Sequence, residues 1–514
     1  MMGNYSPLSF AAVFVVVGTV WAVPDRAIRF VTPVDLGVQP AAPYAAAIAT
    51  RAVNLDLTAL TAAFPESNID LEVEPGIVYS GVVDAVEQRS ETRFSLRGHM
   101  ADDPDGYFFL VVHDDVAVGM MMSVRDGASY RIDYSGAGFH TMSRIDPALY
   151  GECGNEQGLG QLPPAVGQIA AEPGPVEVPD VQHAPAPDDD FDPSSLYAPG
   201  SCQSPYIAYD ALIVYSDDSR SAAGGTNAIL AQVQMAIDVA NQAYANSNIS
   251  IRVRLVYTAE VAYNESGTFD NHLDRLTDSG DGILDSLHST RSSFGADTVS
   301  LFVNDSDPQP GGTSTAGLAW CSVNAGSAFS IVNWSAAAGN LSYPHEIGHN
   351  QGCDHDRDNG AAGCGEYSYS FGHRFFGNSF QQWRTVMAYA PGTRIPYFSN
   401  PNVTFDGVAT GVPSNQSESA YNAATLNNTD STFQNYALPR FDVWVQAGYL
   451  GTPLGTYSNP KPTIPLALAQ LYGGGSPQAE RTVWLKPGVH HATGLTISNP
   501  AVFRACGGTA AIGQ

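Results

Sequence analysis

Lysine is almost absent from this sequence: Lys461 and Lys486 are the only two among 514 residues. Lysine and arginine together number 23 against 51 acidic residues, a formal net charge of -28. A chain so acidic repels phosphate backbones, so nucleic acid is excluded as a partner. Charge of both signs is also scarce, at 14% against 44% apolar residues. That composition builds buried cores and is unlike a disordered chain. Long apolar runs are missing apart from one, Leu8 to Ala22, which is too short for a comfortable bilayer span. With Val20-Trp21-Ala22 ending it, residues 1–22 read as an export signal, although no Lys or Arg precedes the run. An uncleaved anchor is the alternative, and no stable membrane span is expected elsewhere. Cysteine is sparse, with six in all, and a secreted location permits them to form disulfides.

At 514 residues the chain is too long for one ordinary domain. Residues 23–153 read as β-rich, with strand candidates at Ile77–Val83, Phe108–Val112 and Val116–Met120 separated by turn signals such as His113-Asp114-Asp115. Residues 154–202 form an acidic, Pro-rich linker that includes Ala184-Pro185-Ala186-Pro187 and Asp188-Asp189-Asp190. Residues 203–450 turn to an α/β pattern. Ala211–Tyr215 and Val299–Val303 are strand candidates, Ile249–Tyr257 alternates, and Ile229, Val233, Ile237 and Ala240 fall on one helical face. Residues 451–514 carry short strand candidates, Val483–Gly488, which ends in Pro487-Gly488, Leu495–Ser498 and Ala501–Ala505. This tail resembles the opening coils of a parallel β-helix, though it is too short for a full solenoid.

The chemistry is concentrated in His345-Glu346-Ile347-Gly348-His349-Asn350-Gln351-Gly352-Cys353-Asp354-His355-Asp356. Four-residue spacing puts His345 and His349 on one helical face, one turn apart, so both imidazoles reach a single metal ion. Glu346, beside them, reaches toward an attacking water as general base. A third ligand leaves a tetrahedral zinc one open position. His355 on a continuing helix would lie about 15 Å beyond His345 and on another face. The helix must therefore end before it, and Gly352 is the residue that accepts a left-handed cap at little cost. Surface or core histidines on an ordinary helix would not need a glycine three residues ahead of a third histidine.

The string His-Glu-x-x-His-x-x-Gly-x-x-His resembles the metzincin clan of zinc metallopeptidases, and Asn350 and Asp356 are similar to the reprolysin branch. The resemblance implies an α/β (α+β) catalytic domain with a twisted mixed sheet and an active-site helix, one catalytic Zn2+, and protein or peptide substrates. A calcium requirement is not legible. The clan carries a methionine turn beneath the zinc, and Thr385-Val386-Met387-Ala388-Tyr389 fits it, with Met387 as the turn residue; plain packing is the alternative. In astacins and serralysins a tyrosine two residues after that methionine is a switchable ligand that stabilises the oxyanion. Reprolysins generally lack it, so Tyr389 is either catalytic or packing. The run from Pro391 to Pro401 is similar to that in bacterial reprolysin-like enzymes, including peptidyl-Asp metalloendopeptidases. That likeness implies an acidic residue after the cut. Arg394 could pair with it, an ordinary surface arginine being the alternative. The resemblance covers residues 203–450 well, the N-terminal region loosely and the tail not at all.

Metzincin precursors often use a propeptide thiolate as the fourth zinc ligand. By that resemblance residues 23–153 form an inhibitory propeptide and Cys153 is its zinc ligand in the latent form; a disulfide with Cys202 or Cys506 is the alternative. Cys353 and Cys364 bracket the third-ligand loop and are paired, while Cys202 and Cys321 could bridge the catalytic domain. Substrate is expected to add a strand near Ala328–Ile331. The expected product is a secreted zymogen. The rival reading is a non-enzymatic adhesin with a vestigial zinc site.

Overall fold

A computed structural model describes residues 27–154, 207–305, 314–360, 363–440 and most of 442–513. Within that last range 457–458, 473–480, 493–494, 496, 498–500 and 507–508 are outside it. The export segment, Cys202, and the linker apart from Cys153's neighbour Gly154 lie outside the described residues.

The N-terminal region builds one ten-stranded sheet. From Asn68–Glu74 to His140–Ile145, strands pair antiparallel with their chain neighbours, and Ala47–Leu55 follows on the far side. One short segment joins the two ends, because Ile28–Arg29 pairs with Ile69 and Asp70 while Val31–Pro33 pairs with Leu55 to Val53. Sheet edges that invite pairing with other chains are covered in this way. The unbroken apolar run at Phe108–Val112 has a reason beyond its own sheet. Phe108, Leu110 and Val112 enter the N-terminal core, whereas Phe109 and Val111 pack with the helix Thr226–Asn246. A strand buried on both faces has to be apolar on both. Paired charges complete the contact: Arg131 donates to Asp133 and Gln232 at 3.0 Å each, and Arg89 donates to Asp238 at 3.0 Å.

The central sheet runs in the order Glu152–Cys153, Thr315–Ala319, Phe329–Asn333, Thr298–Val303, Ile207–Ser216, Ile251–Val261. Its pairings are parallel except that of Thr315–Ala319 with Phe329–Asn333. The expected mixed sheet is present, but the expected substrate strand is corrected. Phe329–Asn333 is interior, and the strand outside it is Thr315–Ala319. Gly317 and two alanines give that strand a weak propensity signal, so the apolar Phe329–Val332 run stood out instead. The helices Thr226–Asn246 and Ser342–Asn350 share one core on one side of the sheet, while Phe269–Thr277 packs in a second core with Val299, Leu301 and Ile331.

In the C-terminal unit Asp442–Val445, Thr482–Leu485 and Val502–Ala505 stack parallel and in register. Trp444 lies on Trp484 with ring centroids 5.4 Å apart. The unit thus starts ahead of the expected boundary at 450. It also contains a helix, Ile464–Tyr472, whose Ile464, Ala467, Leu468 and Leu471 are buried at helical spacing. Among the described residues no helix is long and apolar enough to cross a membrane.

Candidate metal centre

The helix Ser342–Asn350 carries His345, Glu346 and His349, all buried. It closes as a Schellman motif: the Cys353 N–H donates to the Gly348 carbonyl at 2.9 Å and the Gly352 N–H to the His349 carbonyl at 3.0 Å. Gly352 sits at φ +87°, where a side chain is strained. The chain reverses there, and the strand Asp354–Asp356 brings His355 back to the helix. Asn350 anchors the helix end by donating to the carbonyls of Trp320 (2.9 Å) and Ser327 (3.1 Å).

Each of the three rings is oriented by a backbone carbonyl. Nδ1 of His345, His349 and His355 donates to Val386, Cys353 and Asn359 at 2.8, 3.0 and 3.1 Å. A carbonyl only accepts, so the proton is on Nδ1 and each Nε2 presents a lone pair. His349 Nε2 lies 3.2 Å from that of His345 and 3.0 Å from that of His355. Three lone pairs facing one another repel unless a cation lies between them. Tetrahedral zinc with nitrogen ligands at 2.0–2.1 Å would hold them about 3.3 Å apart, so the residues fit that ion. Burial lowers His345 and His349 well below their ordinary value and His355 to about 3, which keeps all three neutral.

Glu346 is 1% exposed, and burial pushes its carboxyl up to about 8 against the opposing hydrogen bond from Cys153 and the charge of Arg394. A Cβ at Gly317 would overlap this carboxyl and push it aside. Gly317 lies in Thr315–Ala319, the edge strand of the sheet but for the two residues Glu152–Cys153 paired outside it. Cys153 comes in on the strand Glu152–Cys153. Its Sγ lies 3.4 Å from Glu346 Oε2 and 3.6 Å from His349 Nε2. With the three histidines it forms a set whose ligand atoms all lie within 4.8 Å of one another. Cys506, the other described candidate partner, packs instead with Trp444 and Trp484 in the C-terminal unit.

The turn at Met387 lies under the helix. A Cβ on Gly348 would come within 2.5 Å of Met387 Sδ, and the Val386 carbonyl accepts from His345 Nδ1. Tyr389 packs on His355 with centroids 4.1 Å apart and donates its hydroxyl to the Cys153 carbonyl at 2.6 Å. Its backbone N–H donates to Asp356 at 2.9 Å, tying the turn to the strand Asp354–Asp356. Arg394 is not a surface residue. It is 6% exposed and donates to Glu152 at 2.9 Å, beside Arg384, which donates to the same carboxylate.

The expected Cys353–Cys364 bridge is not formed. Cys364 is bonded to Cys321, with Cα atoms 4.6 Å apart, and Cys353 is a free, fully buried thiol. Cys353 follows the helix cap directly and is drawn into the apolar core with Ile347 and Met387. The bridge from Cys321 instead ties the loop after His355 to the end of the strand Thr315–Ala319. The pairing of Cys202 with Cys321 falls with it. Sequence reasoning also missed Gly317, Glu152 and Arg384. The one available signal was an acidic residue immediately before Cys153.

The family model for the metallo-peptidase family M12B, reprolysin-like, matches residues 207–418. A peptidyl-Asp metalloendopeptidase of Pseudomonas fragi is 31% identical over 169 residues, 32% of this chain and 85% of the relative. This chain belongs to the reprolysin-like metallopeptidase family. Two further family members bear the same name. The one from Stenotrophomonas maltophilia (strain R551-3) is 37% identical over 225 residues, 43% of this chain and 51% of its own length. The one from Xanthomonas campestris pv. campestris is 36% identical over 222 residues, 42% and 49% of the two chains. This reprolysin-like chain therefore spans about half the length of these curated relatives.

Proposed function

We propose that this chain is a secreted zinc-dependent endopeptidase made as a latent precursor. The observation that carries the reading is the convergence of three tautomer-fixed Nε2 atoms beside the buried Glu346. His345, His349 and His355 would hold the ion. Zinc bound there supplies a Lewis acid that acidifies water and polarises a carbonyl. Glu346 takes the proton of the attacking water and delivers it to the leaving amine. A carboxyl lifted by burial is suited to both halves of that transfer. Tyr389 donates its hydroxyl to the carbonyl oxygen as negative charge builds on it. Asn350, Gly352 and Met387 hold the ligands in place. An intact base with all three ligands argues against the vestigial-site reading.

In the latent chain residues 23–153 act as an inhibitory propeptide, with Cys153 as fourth ligand, and a cut in the 154–202 linker releases it. Residues 1–22 direct export. The relatives' name, applied here, points to protein substrates with an aspartate after the cut. Casein degradation by the activated chain, with and without chelator, tests the enzyme. Activity abolished by chelator and restored by zinc is expected, and activity indifferent to chelator would overturn the reading.

A further inference from the structure

Glu152 does something the metal site does not require. Its carboxylate accepts from Arg394 at 2.9 Å, from Arg384 at 2.8 Å and from the Ala390 N–H at 3.3 Å. The arginines come from the paired strands Gln382–Arg384 and Thr393–Arg394 and are 2% and 6% exposed. Beyond that carboxylate, Arg384 donates to the carbonyls of Gly392 and Ala388 and Arg394 to those of Asn340 and Ala388, while Arg394 Nε is buried with no partner among the described residues. Among the described residues, their ion pairs are with Glu152 alone. Two buried guanidinium groups side by side demand a counter-ion, because uncompensated buried charge is costly. Fork-like donors also suit a carboxylate better than any other small anion side chain in proteins.

The way Glu152 arrives matters as much as the charges. Its strand pairs in parallel with the edge strand, Glu152 opposite Thr315 and Cys153 opposite Gly317. Extended peptides bind a sheet edge in this manner, with backbone pairing for affinity and side-chain pockets for selectivity. The segment therefore occupies the groove beside the metal centre, with one side chain at the ligand cluster and the preceding one between the two arginines.

We propose that Arg384 and Arg394 form a carboxylate subsite of the substrate groove, and that Glu152 is a pseudo-substrate anchor which fills it in the latent chain. Latency then has two locks, the Cys153 sulfur at the metal and the Glu152 carboxylate in the subsite. Once the anchor leaves, the arginines are without their counter-ion and recruit an acidic side chain from the substrate. This rests on the endopeptidase reading, but the readout that decides it, hydrogen exchange, does not depend on activity.

The test uses the full-length, uncleaved chain carrying Glu152→Gln, Glu152→Asp, Cys153→Ala, or Glu152→Gln with Cys153→Ala. Hydrogen exchange is followed at residues 314–320. Glu152→Gln is isosteric and removes only the charge. It is expected to speed edge-strand exchange roughly tenfold, whereas Glu152→Asp, which keeps a carboxylate, retains most of the protection. On a fluorogenic aspartyl peptide, the double variant is expected to exceed Cys153→Ala roughly tenfold. If the Gln and Asp variants exchange alike, the charge is not what the arginines recognise and the proposal falls. If exchange responds as expected but no variant cuts any peptide, the endopeptidase reading fails while the anchor stands.

Discussion

The hydroxyl of Tyr389 donates to the backbone carbonyl of Cys153 at 2.6 Å, while its ring rests on His355. A phenol already satisfied by a carbonyl oxygen beside the ligand cluster is placed to do the same for a scissile carbonyl. Tyr389→Phe in the activated enzyme is expected to lower kcat roughly ten- to hundredfold, somewhat below the loss seen for a dedicated oxyanion donor. KM and zinc content should change little. An unchanged kcat would leave Tyr389 a packing residue.

Gly317 gives Glu346 its space, since a Cβ there would overlap the carboxyl. Gly317→Ala should displace the base without touching a ligand. A loss of about a hundredfold in kcat is expected, within the range that general base catalysis supplies. Zinc stoichiometry, measured alongside, should stay at that of the parent. Loss of zinc together with activity would mean that the strand supports the ligands instead.

Gly352 carries the chain reversal that brings His355 back to His345 and His349. At φ +87° an added Cβ would also meet Glu366 Cβ and Val323 Cγ2 at 2.8 Å each. The conformation alone costs a non-glycine residue about 1–2 kcal/mol. Gly352→Ala should therefore lower Tm and release zinc on dialysis under conditions where the parent keeps it. A variant with parental Tm and zinc content would show that the reversal does not need this glycine.

His113 and His140 are buried in the N-terminal unit, and burial lowers each to about 4. Neutral His140 accepts the Ala117 N–H at 3.1 Å. Around His113, Arg93 and Arg89 oppose protonation, while Asp114 and Asp115 favour it. The unfolded rings bind a proton below about pH 6.5 and the folded ones only near 4. The unfolded state thus holds more protons in between, so stability falls as pH drops from about 6.5 toward about 4. Above 6.5 both rings are neutral in either state and contribute no pH dependence. Thermal melts across this window should show a shallower decline in His140→Gln than in the parent. Parallel declines would remove these histidines from the acid response.

The metal string was legible because all its parts lie within His345–Asp356, where helical spacing and one glycine fix the geometry. Met387 and Tyr389 stood out only through the resemblance to the clan's methionine turn downstream of that string, which left Tyr389 open between a catalytic role and packing. The double-faced run at Phe108–Val112 was readable as a strand, but the helix it docks on was not. What escaped reading is long-range. Glu152 meets Arg384 and Arg394 only through strand pairing across more than two hundred residues. Cys364 was paired with its nearer neighbour in sequence, whereas core burial took Cys353 and left Cys321 alongside. The edge strand was hidden by its own composition, as small residues are what leave room for Glu346.

X-ray absorption at the zinc edge of the full-length latent chain examines the centre itself. The expected spectrum has one zinc per chain with three nitrogen neighbours and one sulfur, the sulfur being replaced by oxygen or nitrogen in Cys153→Ala. A chain that binds no zinc, or a spectrum without imidazole scattering from His345, His349 and His355, would contradict the assignment.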